Sequence, residues 1–185
     1  AMIAGFIFLR LRGILGKRSG FEGKTSPQFE EVLKNINQEV NIKNNDKFDE
    51  NAQKEFLKGA KIAYETIITD FSDYDNKLIK SKSLLSKKIQ DQFNEALKER
   101  SNKGHYAEIT FIGVNSAKIK EHKKNDKILN VTVDFVSEVI TCIKDKDKKI
   151  ISGDPEKIKK IYDTWVFSRD TRSNNPNWQL VDILT

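Results

Sequence analysis

Apolar residues recur at helical spacing through the first half of the chain. Phe48, Ala52, Phe56, Ala60, Ala63, Ile67 and Phe71 form one stripe, widened by Leu57, Tyr64 and Ile68. That period predicts an amphipathic helix over residues 48–71. Gly59 sits inside it, where glycine costs about 1 kcal/mol relative to alanine, so a neighbouring backbone is expected to approach closely there. Upstream, Ser26-Pro27 reads as a helix start, followed by Phe29, Leu33, Ile36 and Val40 at spacings of four, three and four. The opposite face carries Glu30, Glu31, Lys34 and Glu39. That mixed face suits a helix that packs on protein better than one that lies on an anionic membrane. Residues 41–46 are a polar break. Beyond the break at residues 72–76 comes a short turn with Leu78 and Ile79. Leu84, Leu85, Ile89, Phe93 and Leu97 then predict a last helix ending near Arg100.

After Gly104 the period changes to two. Residues 106–119 read as a strand with Ile109 and Phe111 on one side, and residues 122–126 as a charged turn. Leu129, Val131, Val133 and Phe135 alternate with Asn130, Thr132 and Asp134, a half-buried strand that continues to Ile143. Residues 144–149 predict a charged hairpin turn. Trp165 and Phe167 mark a third strand, residues 174–177 a turn, and residues 178–184 the last strand. Helices first and antiparallel strands afterwards predict an α+β domain on a four-stranded antiparallel sheet.

Charge separates the chain into two parts. The net charge is +6 over 185 residues, and residues 1–24 hold five bases against one acid. The rest is nearly balanced, which argues against a nucleic-acid domain, where basic charge would gather on the folded part. The leader itself opens with nine uncharged residues, among them Phe6, Ile7 and Leu9, too few to span a bilayer alone. Arg10, Arg12, Lys17 and Arg18 follow. We read residues 1–25 as the end of an apolar anchor with a basic, headgroup-binding flank and a glycine-containing linker, and residues 26–185 as one domain. Bases beside an anchor fix orientation, with the domain on the cytoplasmic or matrix-equivalent side, and attract anionic lipid by about 1 kcal/mol each. The alternative is a short helix packed on the domain or on a second copy. A secretory signal is disfavoured because the bases follow the apolar run. The residues mark no oligomeric state.

Candidate chemistry is sparse. Phosphate-binding loops, dinucleotide fingerprints, paired-histidine zinc motifs and clustered cysteines are all missing from the sequence, so no cofactor, metal or catalytic residue is expected. His105 and His122 read as solvated. Cys142 has no second cysteine to pair with and reads as an inert buried thiol in a reducing compartment. Asp134, mid-strand among apolar neighbours, is the acid to watch, with the solvent face as its expected place.

The last eighty residues resemble a known family. Val131-Thr132-Val133-Asp134-Phe135, Gly153-Asp154, Trp165-Val166-Phe167-Ser168-Arg169-Asp170 and Asn175-Pro176-Asn177-Trp178-Gln179-Leu180 resemble the Tim-44-like domain of inner-membrane translocase subunits. The stretch Phe56 to Ala60, the pair Leu84-Leu85 and the lead-in from Arg10 to Gly20 resemble its helical half and a bacterial-type segment after a membrane helix. Asp134 departs from a position often basic in the family. The resemblance implies a cone-like (NTF2-like) fold: helices against a curved sheet, enclosing an apolar pocket. The mitochondrial member tethers a translocation motor to the inner membrane, but this chain lacks its long chaperone-recruiting region. The resemblance therefore implies a membrane-tethered, non-enzymatic scaffold that binds an apolar polypeptide or partner surface. Candidate lining residues are Phe56, Ala60, Tyr64, Phe111, Val133, Phe135, Trp165 and Phe167; filling an ordinary core is the competing role for each. A lipid-binding domain using the same pocket is the second reading. An enzyme on a cone fold, with Asp134 as general base, is the third.

Overall fold

The computed structural model describes residues 48–72, 77–175 and 177–184. The leader residues and the helix expected after Pro27 lie outside these. Helix α1 spans Glu50–Phe71 and α2 spans Lys87–Asn102. Strands β1 (Tyr106–Asn125), β2 (Ile128–Lys144), β3 (Ile150–Asp170) and β4 (Gln179–Leu184) form one antiparallel sheet in the order β1-β2-β3-β4. This is the α+β arrangement the two periodicities predict.

Each helix begins where a side chain satisfies an otherwise unpaired amide. Asp49 accepts from Ala52 N at 2.9 Å, which starts α1 just past Phe48. Ser86 caps α2 in the same way, accepting from Ile89 N at 3.4 Å. The helix therefore starts three residues later than the apolar pattern suggests. Leu84 instead closes a single 3-10 turn, and Leu85 pairs with Leu180 at the sheet's edge. A buried carboxylate fixes the approach: Asp70 Oδ2 accepts from Ser81 N at 2.9 Å, Ser81 Oγ at 2.6 Å and Lys80 N at 3.1 Å. Buried Arg100 joins the two helices, donating to Phe71 O at 3.2 Å with its guanidinium 5.6 Å from the Phe71 ring centre.

The strands outrun their expected ends. β1 continues through the charged residues 120–125, paired with Thr132 back to Ile128, and the turn falls at Asp126-Lys127. Charge did not end the strand because both faces are exposed there, so Lys123 and Lys124 hold the ladder at no desolvation cost. β3 likewise begins at Ile150, fifteen residues before Trp165. Three register shifts in β1 and two between β2 and β3 interrupt the ladder, and such bulges bend a sheet.

Two glycines behave oppositely. Gly153 has φ +81, and a Cβ there would collide with the Thr141 carbonyl oxygen, so this paired position between the two register shifts of β3 needs glycine. Among the described residues a Cβ at Gly59 would meet nothing within 4 Å, so the close backbone approach expected there is not found among them. Gly59→Ala should therefore raise unfolding free energy by about 0.5–1 kcal/mol. Gly153→Ala should lower it by about 1–3 kcal/mol. Urea unfolding of both variants checks the opposed signs.

Candidate functional site

Alternation and helical spacing bring seven of the eight candidate residues into one cluster. Phe56, Ala60 and Tyr64 descend from α1 at four-residue intervals. Val133 and Phe135 rise from β2, and Trp165 and Phe167 from β3. All seven are buried, Tyr64 and Val133 to 0% exposure. Cross-strand register aligns them, Val133 facing Trp165 across one rung. Tyr64 is the hub: it stacks on Phe135 with centroids 4.4 Å apart and planes 19° apart, and meets Trp165 at 4.6 Å. Phe56 contacts Phe167 edge-on at 5.9 Å. Phe111 of β1 is only half-buried, 6.2 Å from the Tyr64 ring.

A polar contact lies at the centre of this apolar set. The Tyr64 hydroxyl donates to Asp163 Oδ2 at 2.6 Å and lies 3.0 Å from Ser137 Oγ. A buried phenol needs a partner, and a carboxylate acceptor makes the stronger bond. Asp163 and Ser137 were not among the residues singled out from the sequence. The signal was present: Asp163 lies two residues before Trp165, so period two places both on one face. Asp134 is on the other face. It is half-buried and accepts from Thr164 Oγ1 at 2.6 Å, so it does not reach the aromatic cluster as a base.

The cluster ends in a half-buried rim. Phe48 lies 5.7 Å from Phe56, 6.0 Å from Trp178 and 5.2 Å from His122, between ring centres. Trp178 lies 4.5 Å from Phe56, and the Arg169 guanidinium stands 5.4 Å from the Trp178 ring centre. Burial pulls the Arg169 pKa below its ordinary value, and the ring face offers the cation partial compensation. His122 is exposed, as expected, but its ring edge closes this rim.

Among the described residues no group of three or more histidine, cysteine, aspartate or glutamate side chains could hold a metal. Cys142 is buried and donates to Glu108 Oε2 at 3.4 Å, while Glu108 Oε1 pairs with Lys144 at 2.7 Å. No described helix is long and apolar enough to cross a membrane. Phe6, Ile7, Leu9, Arg10, Arg12, Lys17 and Arg18 lie outside the described residues.

Fold and cluster together define an α+β domain in which two helices close one face of an open antiparallel sheet through an aromatic contact. The chain belongs to the Tim44-like domain family, whose model matches residues 40–185. That membership relates it to protein translocation in membranes, and the family is associated with the inner membrane. No curated protein matches the chain. Among solved structures, the intermembrane space region of the chloroplast protein ARC6 is similar at 12% identity with a TM-score of 0.40, covering 69% of this chain and 95% of that one.

The cluster's energetics are testable. Trp165→Ala should destabilise the domain by about 3–5 kcal/mol, since it deletes a large buried ring packed on Tyr64, Phe135 and Phe167. Tyr64→Phe keeps the stack but removes the hydroxyl's bond to Asp163, and should cost about 1–3 kcal/mol. Denaturant unfolding of both, together with the double variant, separates packing from the hydrogen bond.

Proposed function

We propose that this chain is a non-enzymatic binding module for apolar polypeptide or partner surfaces, held at the membrane by residues 1–25. One observation carries this reading: the Tim44-like match over residues 40–185, in a family related to protein translocation. Supporting it, the chemistry offered by the helix–sheet contact is apolar. Phe56, Ala60, Tyr64, Val133, Phe135, Trp165 and Phe167 are buried against one another, so they would form the wall of an NTF2-like cone only when the helix–sheet contact opens, with half-buried Phe111 at its mouth. Apolar ligand area brought against such a surface yields roughly 25 cal/mol per Å² before association costs. Selectivity would be low, because the wall is mostly apolar and its one carboxylate, Asp163, is held by the Tyr64 hydroxyl. Membrane contact is a separate function of the basic leader, which would hold anionic lipid through Arg10, Arg12, Lys17 and Arg18. No nucleic acid and no cofactor enters the proposal.

Two measurements test it. Fluorescence titration of the full chain with an apolar probe should saturate, with affinity nearly unchanged between low and high salt. Phe111→Asp, at a half-buried position, should weaken that binding about tenfold by placing a charge in the apolar contact. Binding to anionic vesicles should instead fall as salt screens the leader. Titration without saturation, or competition by phospholipid but not by unfolded polypeptide, would overturn the polypeptide-binding assignment.

A further inference from the structure

The half-buried rim around Phe48 and Trp178 holds a charge that the aromatic cluster does not use. Cross-strand register puts His122, Val131 and Phe167 on one rung, and Lys124, Leu129 and Arg169 on the next rung of the same face. Arg169 therefore stands at the edge of the cluster, two residues past buried Phe167 and opposite buried Leu129. Its surroundings are apolar. The guanidinium lies 5.4 Å from the Trp178 ring centre, and burial lowers its pKa with no carboxylate opposing the shift. Among the described residues no acceptor takes a hydrogen bond from it and no acid pairs with it. The acids at this end of the sheet are engaged elsewhere. Asp126 pairs with Arg172 at 3.0 Å and Glu121 with Lys123 at 2.8 Å, while Asp170 lies on the other face of β3, 3.9 Å from Lys127. Asp49 caps α1.

The Trp178 ring offsets part of the Arg169 charge but leaves its planar fork of N–H donors, whose geometry matches a carboxylate. The rim around it is already ordered. Gln53 Nε2 donates to Phe48 O at 3.0 Å, and Asn177 N donates to Asn175 Oδ1 at 3.0 Å just before Trp178. The rings of Phe48, Phe56 and Trp178 lie 4.5 to 6.0 Å apart. Side chains two residues apart in an extended polypeptide project the same way, about 7 Å from one another. An acid held at Arg169 thus sets the second residue against Phe48 and Trp178. A free anion at so open a rim would be held weakly, whereas a ligand that also covers the rings takes water away from the charge pair.

We propose that this rim is a carboxylate subsite, in which Arg169 binds the Asp or Glu side chain of a polypeptide segment whose neighbouring apolar residue lies against Phe48 and Trp178. The assignment rests on the polypeptide-binding reading above and narrows it. The aromatic wall distinguishes poorly among apolar segments, but one guanidinium separates an acid from its amide. The rim is half-buried, so this contact is made without opening the buried stack.

Fluorescence anisotropy of the full chain with labelled, end-blocked apolar pentapeptides tests this, the central residue being Glu, Gln or Lys. The Glu peptide should bind about tenfold tighter than the Gln peptide, with the Lys peptide weakest. Arg169→Gln should abolish that preference, read as the ratio of the two affinities, which a general loss of packing would not single out. Arg169→Lys keeps the charge and the stem but not the fork, and should retain about a threefold preference; it decides the matter if the Gln variant does not fold. Equal binding of the Glu and Gln peptides by the unaltered chain overturns the subsite and leaves the polypeptide-binding reading standing, whereas binding of neither overturns both. A preference undiminished in the Arg169 variants also overturns the assignment. So does a soluble short-chain phosphatidylglycerol that displaces the Glu peptide and binds tighter than it through Arg169, which would give the rim to lipid.

Discussion

The contact between Tyr64 and the sheet is the constraint on which the rest of the domain depends. Helix and sheet are built from different periods, so few positions on α1 can meet rungs on β2 and β3 at once. Tyr64 does so with its ring against Phe135 and Trp165, and with its hydroxyl bonded to Asp163 beside Ser137. The stack alone would tolerate sliding along the sheet. The 2.6 Å bond to Asp163 would not, because a shift of one rung breaks it and takes the buried phenol away from its carboxylate acceptor. Once Tyr64 is seated, Phe56 two turns earlier falls on Phe167, and the chain entering at Phe48 meets Trp178. At the other end of α1, Arg100 and Asp70 fasten α2 and the intervening turn to the helix terminus.

How much of this was legible in the sequence follows from which force set each feature. The α1 stripe and the β2 alternation were legible because burial on one face imposes a period. The seven clustered candidate residues follow directly from those two patterns. Strand ends were not legible in the same way. Residues 120–125 look like a turn by composition, yet pairing across the ladder needs only backbone groups, and exposed lysines do not oppose it. The start of α2 was obscured because Leu84 and Leu85 continue the apolar pattern while Ser86 supplies the cap. Asp163 was missed for a similar reason. An acid in a strand is read as solvent-facing, and only a tyrosine 99 residues earlier in the chain gives it a buried role.

Gly59 shows the limit of reading a residue by its intrinsic cost. A mid-helix glycine suggests a close neighbour, yet among the described residues none comes within 4 Å of where a methyl group at Gly59 would stand. Gly153 carries the stricter requirement although nothing in the local sequence period marks it. Its positive φ and its approach to the Thr141 carbonyl let β3 stay paired with β2 between the two register shifts, opposite Cys142. Long strands interrupted this way curve, and curvature is what lets a four-stranded sheet wrap a helix.

The distribution of charge and of aromatic rings divides the chain's interactions by range. The basic leader acts through a long-range field and so depends on ionic strength, whereas the aromatic contacts act only at van der Waals distance and do not. That division lets either range be changed without touching the other. The body of the domain respects it: the ion pairs on its exposed helix faces, Glu55–Lys58, Lys87–Asp91 and Glu99–Lys103, are intrahelical and locally neutral. Such pairs project little field beyond a Debye length, leaving the leader as the main source of long-range attraction.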